Sequence, residues 1–312
     1  MSRLREAEEK KGQTLIPVPV RQVPRRVLAY TSLQAYFSLT KPRIMFLLDL
    51  TAIAAFLVAG NLIVPVRFLA LLIAGSLVSG GAAALNCYLD RDLDGRMGRT
   101  KRRPIPTGEV QPVKGLEFGL LLVLIGTLVS LYFLPILATI FILLGAFIYV
   151  IYTKWLKPRT TLNIVLGGAA GSCAPLAGWA AATGQVGLAA GLMALLVFVW
   201  TPSHFWGLAM RSVDDYSRAG IPMLPVVVGE KKAAQYIAAN TFLLIPLSLS
   251  FFPLKVFGLI YLIVAGSLGL WLLIVDLKLV MDPSKSRAWT AFKVSSPYLA
   301  VVFLAMVLDK IV

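Results

Sequence analysis

Apolar positions along the chain gather into long unbroken runs, separated by short polar stretches. Nine runs are legible, at about 43–60, 66–89, 116–134, 136–153, 162–181, 187–209, 235–252, 256–276 and 293–309. Each is near the ~20 residues a helix needs to cross ~30 Å of hydrocarbon. The ten-residue alternation of a membrane β-barrel is absent, and a chain in lipid must otherwise satisfy its backbone polar groups inside helices. The pattern therefore predicts an all-α membrane protein with about nine transmembrane helices. The connections alternate in character. On one side they are brief ("GNLIVPV", "LP", "ATGQVG", "FPLK"), and on the other they are longer and polar, at 90–115, 154–161, 210–234 and 277–292.

Composition sharpens this picture. The chain is 58% hydrophobic and 14% charged, with a mean hydropathy of +0.80, whereas a soluble domain carries roughly a quarter of its residues charged. A net charge of +15 would suit a nucleic-acid partner, but its placement excludes one. Of the 30 Lys and Arg, all but Arg67, Lys255 and Lys310 fall on the side of the N-terminus. By the positive-inside rule that side is cytoplasmic, so the charge reports topology and attraction to the lipid bilayer.

Cys87 and Cys173 fall on different predicted helices and imply no disulfide framework. Residues 1–42, with "EAEEKK" and several prolines, lack a secretory apolar core and are too acidic for a transit peptide. They read as a cytoplasmic N-terminal tail with an interfacial piece near "YFSLTKPRI", and 43–312 as a single polytopic domain. A transporter would place polar groups at the bilayer midplane, where this chain offers only Asp49. Asp49 is also close enough in sequence to "KPR" to pair with it. An enzyme that takes a lipid-like substrate at the cytoplasmic face of an inner membrane suits the layout better.

The second run ends in "NCYLDRDLDGRMGRTKRRPIPTG", residues 86–108. Asn86, Asp90 and Asp94 are spaced so that a continuing helix sets them in one stripe, with Gly95 placed to end that helix. Carboxylates at a helix C-terminus face the negative end of its dipole, at roughly 0.3–1 kcal/mol each. A divalent cation relieves that cost, and Mg²⁺ is commonly held by one or two carboxylates plus substrate phosphate. Asn86, Asp90 and Asp94 are therefore candidate metal ligands. The alternative is a solvated loop in which the aspartates pair with Arg91, Arg96 and Arg99. Arg99, Lys101, Arg102 and Arg103 suit a diphosphate, though any inner loop of a membrane protein tends to be basic.

A second polar stretch, "TPSHFWGLAMRSVDDYSRAGIPMLPVVVG", contains His204, the sole histidine. If the helix runs on, His204, Arg211 and Asp215 share a stripe and Asp214 lies on a neighbouring face. Asp214 and Asp215 are then candidates for a second metal. His204 can be a general base, a haem ligand or a polar residue bonded between helices. The third inner loop, "YTKWLKPRTTLN", adds Tyr152 and Lys157.

"NCYLDRDLDGRM" resembles the NxxxDxxxD signature of the UbiA superfamily of intramembrane prenyltransferases. "MGRTKRRPIPTG", "YTKWLKPRTTLNIVLGG" and "TPSHFWGLAMRSVDDYSRAGIPMLPVVVGE" are similar to its haem O synthase branch, and the likeness runs from about residue 38 to 230. The resemblance implies a nine-helix UbiA-type bundle with a cytoplasm-facing central cavity. It implies farnesyl transfer from farnesyl diphosphate to a vinyl group of haem B, with addition of water, ahead of a haem A synthase. It assigns Mg²⁺-diphosphate to Asn86, Asp90 and Asp94, the diphosphate oxygens to Arg99, Arg103 and Lys157 with Tyr152 nearby, and the porphyrin to His204. Relatives acting on quinone precursors carry a cleaner second DxxxD than Asp214–Asp215. A UbiA-type enzyme for a quinone precursor or chlorophyllide, or a haem carrier or transporter without chemistry, would share the layout but not the "HFW…DDY" stretch.

Overall fold

The computed structural model describes residues 32–60 and 64–312; the sequence-predicted tail falls largely outside the described residues. Among those residues the chain is helical and contains no strand. Its elements are α1 (Ser32–Leu39), α2 (Pro42–Ala59), α3 (Pro65–Leu89), α4 (Arg91–Arg96), α5 (Pro112–Phe133) and α6 (Ile136–Ile151). They continue with α7 (Asn163–Thr183), α8 (Leu188–Arg211), α9 (Val213–Arg218), α10 (Leu224–Val228), α11 (Glu230–Leu249), α12 (Leu259–Met281) and α13 (Lys285–Ile311). A single π-helical turn, Tyr152–Leu156, extends α6.

Helix starts follow local chemistry. Proline stands in the first turn of α2, α3 and α5, where its missing N–H would have had no partner. Gly184, at φ 75°, ends α7. Eight helices among the described residues are long and apolar enough to cross a membrane, so the protein is a multi-pass membrane protein. The ninth long helix, α11, opens on Glu230, Lys231 and Lys232 and carries Gln235 and Asn240, which lower its hydropathy. The predicted runs are thus all helical, but α11 starts at Glu230 rather than 235 and α13 at Lys285 rather than 293. Hydropathy marks where a helix enters hydrocarbon, whereas backbone hydrogen bonding continues into the wet boundary.

Helices α2, α3, α6, α7, α8 and α13 surround a central cavity, with α5 packed chiefly on α3, and α11 and α12 stacked beyond α8 and α13. Small residues set the approach distances, as in many membrane bundles. A Cβ on Gly81 would lie 2.7 Å from the Gly119 carbonyl, so α3 and α5 touch backbone to backbone. At the crossing of α2 and α7, a Cβ on Gly178 would collide with the Ala52 carbonyl oxygen. The cavity lining from these helices ends at Ile53 and Ala177, so this crossing forms its floor.

Asp49 and Asp276 lie well inside spans, one lining the cavity and the other buried. Asp49 does not pair with "KPR"; its Oδ2 accepts from Ser76 Oγ at 2.8 Å, and its side chain lines the cavity. Asp276 is buried and accepts from Thr241 Oγ1 at 2.7 Å.

Candidate active site

The acidic stripe forms as its spacing predicts, with one local difference. Helix α3 ends at Leu89, Asp90 bends at φ −86°, ψ 0°, and α4 resumes at Arg91. The four-residue ladder survives the bend, since Asp90 N donates to Asn86 O at 2.9 Å and Asp94 N to Asp90 O at 2.7 Å. Gly95 therefore does not end the helix; the chain turns extended at Met97. Asn86, Asp90 and Asp94 keep one face and are buried, at 4%, 2% and 1% exposure. That depth rules out a solvated loop.

Each carboxylate meets a cation, one from a distant segment and one from the loop that follows. Lys157 Nζ donates to Asp90 Oδ2 at 2.6 Å, and Arg103 to Asp94 Oδ2 at 2.6 Å. The π turn aims Lys157: its N–H closes a five-residue ring on Tyr152 O at 2.8 Å, which rotates the lysine away from the direction an α-helix would give it. Burial works against the charge of Arg103, and the adjacent Asp94 carboxylate more than offsets it, leaving the guanidinium above its usual pKa. Asn86 Nδ2 donates to Asp90 Oδ2 at 3.0 Å and to Thr153 Oγ1 at 2.8 Å.

Lys41, which no spacing within the acidic segment singles out, completes this rim. It donates to Asn86 Oδ1 and, at 3.3 Å, to the Tyr149 hydroxyl. Asn86, Asp90, Asp94, Lys41, Arg99, Arg103 and Lys157 all line the same cavity of about 630 Å³, a size within the ~300–1,000 Å³ of ligand sites. Tyr152 lines it too, with its ring packed at Gly167, where a Cβ would come within 2.6 Å.

No group of three carboxylate, histidine or cysteine side chains converges among the described residues. The donor set is two carboxylates and an amide, with Asp90 and Asp94 each committing one oxygen to a cation. That set suits Mg²⁺ when substrate phosphates complete its shell, and would suit poorly an ion caged by protein alone.

The second acidic pair sits elsewhere. Helix α8 does not run on; it stops at Arg211, Ser212 turns at φ −113°, ψ 27°, and α9 starts at Val213. Asp215 therefore leaves the stripe that His204 and Arg211 keep on α8. Asp214 is exposed and paired with Lys285. Asp215 accepts the Arg99 backbone N–H at 3.1 Å and pairs with Arg218. Partial burial would raise its pKa, but the N–H groups of Arg99 and Gly98 and the Arg218 charge together hold it below the usual value. Neither aspartate lines the cavity. Asp215 instead ties the basic loop to α9.

His204 does line the cavity and is buried. Its ring stacks on Trp200 at 4.3 Å and 22°, and lies 4.4 Å from Phe292. Its Nδ1 is 2.6 Å from Ser295 Oγ. One enclosure thus joins a cationic and carboxylate rim to an apolar, aromatic interior.

The UbiA prenyltransferase family model matches residues 48–306. A protoheme IX farnesyltransferase of Sulfurisphaera tokodaii is 46% identical over 283 residues, covering 89% of this chain and 93% of its own. Its counterpart from Gloeobacter violaceus is 43% identical over 302 residues, covering 96% and 98%. Among solved structures, a digeranylgeranylglyceryl phosphate synthase superposes with a TM-score of 0.74 at 21% identity, covering 90% of this chain and 99% of that one. A UbiA homolog from Archaeoglobus fulgidus, bound to DMAPP and Mg²⁺, gives 0.67 at 15%, covering 87% and 98%.

Proposed function

The chain belongs to the UbiA prenyltransferase family, and from that premise we propose that it farnesylates haem B. The donor is farnesyl diphosphate, the acceptor a vinyl group, and water adds to give haem O, which would pass to a haem A synthase. One observation carries the reading: a single cavity holds the diphosphate chemistry at its rim and a stacked histidine in its aromatic interior. The names of the relatives from Sulfurisphaera tokodaii and Gloeobacter violaceus support the acceptor.

The diphosphate would lie against Lys41, Arg99, Arg103 and Lys157. These cations compensate its charge as the allylic C–O bond breaks and the leaving group takes the electron pair. Mg²⁺, held by Asp90 and Asp94 with Asn86 beside them, would supply Lewis-acid neutralisation of that same charge. The allylic positive charge develops towards aromatic faces, Tyr149 and Tyr152 near the rim and Trp200 and Phe292 around His204, which favour a cation. The floor at Ala52 and Gly178 and the apolar walls exclude the bulk water that would quench it. The vinyl π electrons then form the new C–C bond, positive charge passes to the carbon beside the porphyrin ring, and water adds there with loss of a proton. We place the charged rim and the N-terminus on the cytoplasmic side of the cell membrane.

Purified protein with haem B, farnesyl diphosphate and Mg²⁺ should yield an extracted haem heavier by one farnesyl group plus water, and EDTA should abolish it. Pyrophosphate release only with a phenolic acceptor would move the acceptor to a quinone precursor.

A further inference from the structure

Ser295 lies behind His204, on α13, and does not line the cavity, although its neighbours Ser296 and Leu299 do. Its hydroxyl meets two groups: Phe292 O at 2.9 Å and His204 Nδ1 at 2.6 Å. A serine hydroxyl has one hydrogen and two lone pairs. The carbonyl can only accept, and a serine hydrogen given to Phe292 O leaves Oγ only lone pairs to offer the ring. The short contact to Nδ1 is then made by a ring N–H donating into an Oγ lone pair. A neutral imidazole protonated at Nδ1 carries a bare lone pair at Nε2.

The surroundings fix the ring in that orientation. Trp200 and Phe292 hold its faces, and Phe205 meets it edge-on at 5.0 Å. Trp200 Nε1 donates to Ser295 O at 2.9 Å, so the same residue anchors both the ring and its stacking partner. Nε2 has no hydrogen-bond partner among the described residues. With Nδ1 committed to the wall, Nε2 is the edge left for the cavity.

We propose that Ser295 is a positioning residue that holds His204 as the Nδ1–H tautomer and so presents an unprotonated Nε2 to the iron of a porphyrin bound in the cavity. This rests on haem B being the acceptor. Iron-ligating histidines use their second ring nitrogen in this way, donating it to an oxygen that fixes tautomer and orientation. A porphyrin anchored through iron is fixed along one axis, which leaves its vinyl edge to be turned towards the charged rim.

His204 is the single histidine of the chain, so ¹⁵N-histidine labelling of the whole protein in lipid nanodiscs reports on one ring. The wild type should show a protonated Nδ1 and a bare Nε2. Ser295→Ala should shift the ring towards the Nε2–H form, and Ser295→Thr should restore it. A wild-type ring protonated at Nε2 overturns the proposal, whatever the acceptor. With ferrous haem B, resonance Raman should show an iron–histidine band that His204→Ala abolishes. Ser295→Ala should weaken and shift that band and lower haem affinity roughly 10–100-fold, while binding of an unreactive farnesyl diphosphate analogue stays unchanged. An unaltered band and affinity in Ser295→Ala overturn the positioning role and leave haem farnesylation standing. A wild type that binds no haem overturns both. Should the alanine variant not fold, Ser295→Cys, a much weaker acceptor of similar size, gives the same comparison.

Discussion

Lys41 occupies φ 53°, ψ 61°, a left-handed conformation that costs a non-glycine residue roughly 1–3 kcal/mol. Pro42 begins the next helix and disfavours the ordinary helical conformation just before it. The strain aims the ammonium at Asn86, which is 45 positions away in sequence. A charge-assisted hydrogen bond is worth about 1.5–3 kcal/mol, so Lys41→Met should lower kcat/KM for farnesyl diphosphate roughly tenfold to a hundredfold, mostly through KM. Steady-state kinetics checks this. Asp90→Asn and Asp94→Asn keep shape but remove hard anionic oxygen; each should cut turnover at least ~10²-fold with helical circular dichroism preserved. Near-normal turnover in both would sink the metal assignment. Asp215 carries a pH signature. Its pKa is held below the unfolded value, so its contribution to stability is full above that value and is lost as pH falls through the folded one. The unfolding midpoints of wild type and Asp215→Asn should therefore differ at neutral pH and converge below about pH 4. A gap that persists in acid would place the effect elsewhere. At this scale the sequence exposed Asn86, Asp90 and Asp94 through spacing on one helix, and hid Lys41 and Ser295, whose partners lie on other helices.

Helices were legible because lipid leaves the backbone no other partner, and their breaks were not. The bend at Asp90 changes two dihedrals and keeps the hydrogen-bond ladder, leaving no trace in composition. Ser212 ends α8 two residues past the apolar run, so the helix does not run on through the polar connection and Asp215 left the stripe of His204. The π turn at Tyr152–Leu156 likewise leaves hydropathy unchanged while re-aiming Lys157. Glycines separate by environment. Gly178→Ala would drive a methyl into the Ala52 carbonyl and should cost well over the ~1–3 kcal/mol of ordinary overpacking, seen as loss of folded yield in detergent. Gly191→Ala in α8 meets nothing within 4 Å and should be neutral or stabilising by up to about 1 kcal/mol. Equal folded yields would show that the α2–α7 crossing can part, and that the cavity floor is soft.

The whole molecule separates its chemistry by depth and by side. Charged groups cluster at one rim, aromatic residues line the interior, and the far end closes on a glycine crossing. The side can be read directly, because the native Cys87 and Cys173 are buried and leave a low labelling background. Arg102→Cys should react with a membrane-impermeant maleimide only from the cytoplasmic side, and Lys310→Cys only from the other; the reverse pattern would invert the proposed topology. By itself the sequence determined the helical class, the sidedness of the charge and the acidic stripe. Each of these comes from hydropathy, electrostatics or spacing within one segment. Only the tertiary structure decided that Lys41 joins Lys157 at that stripe, that Asp215 braces the basic loop from outside the cavity lining, and that Ser295 commits one nitrogen of His204. Those facts depend on how separate helices cross, and crossings are set by close packing between residues far apart in the chain, which no single segment encodes.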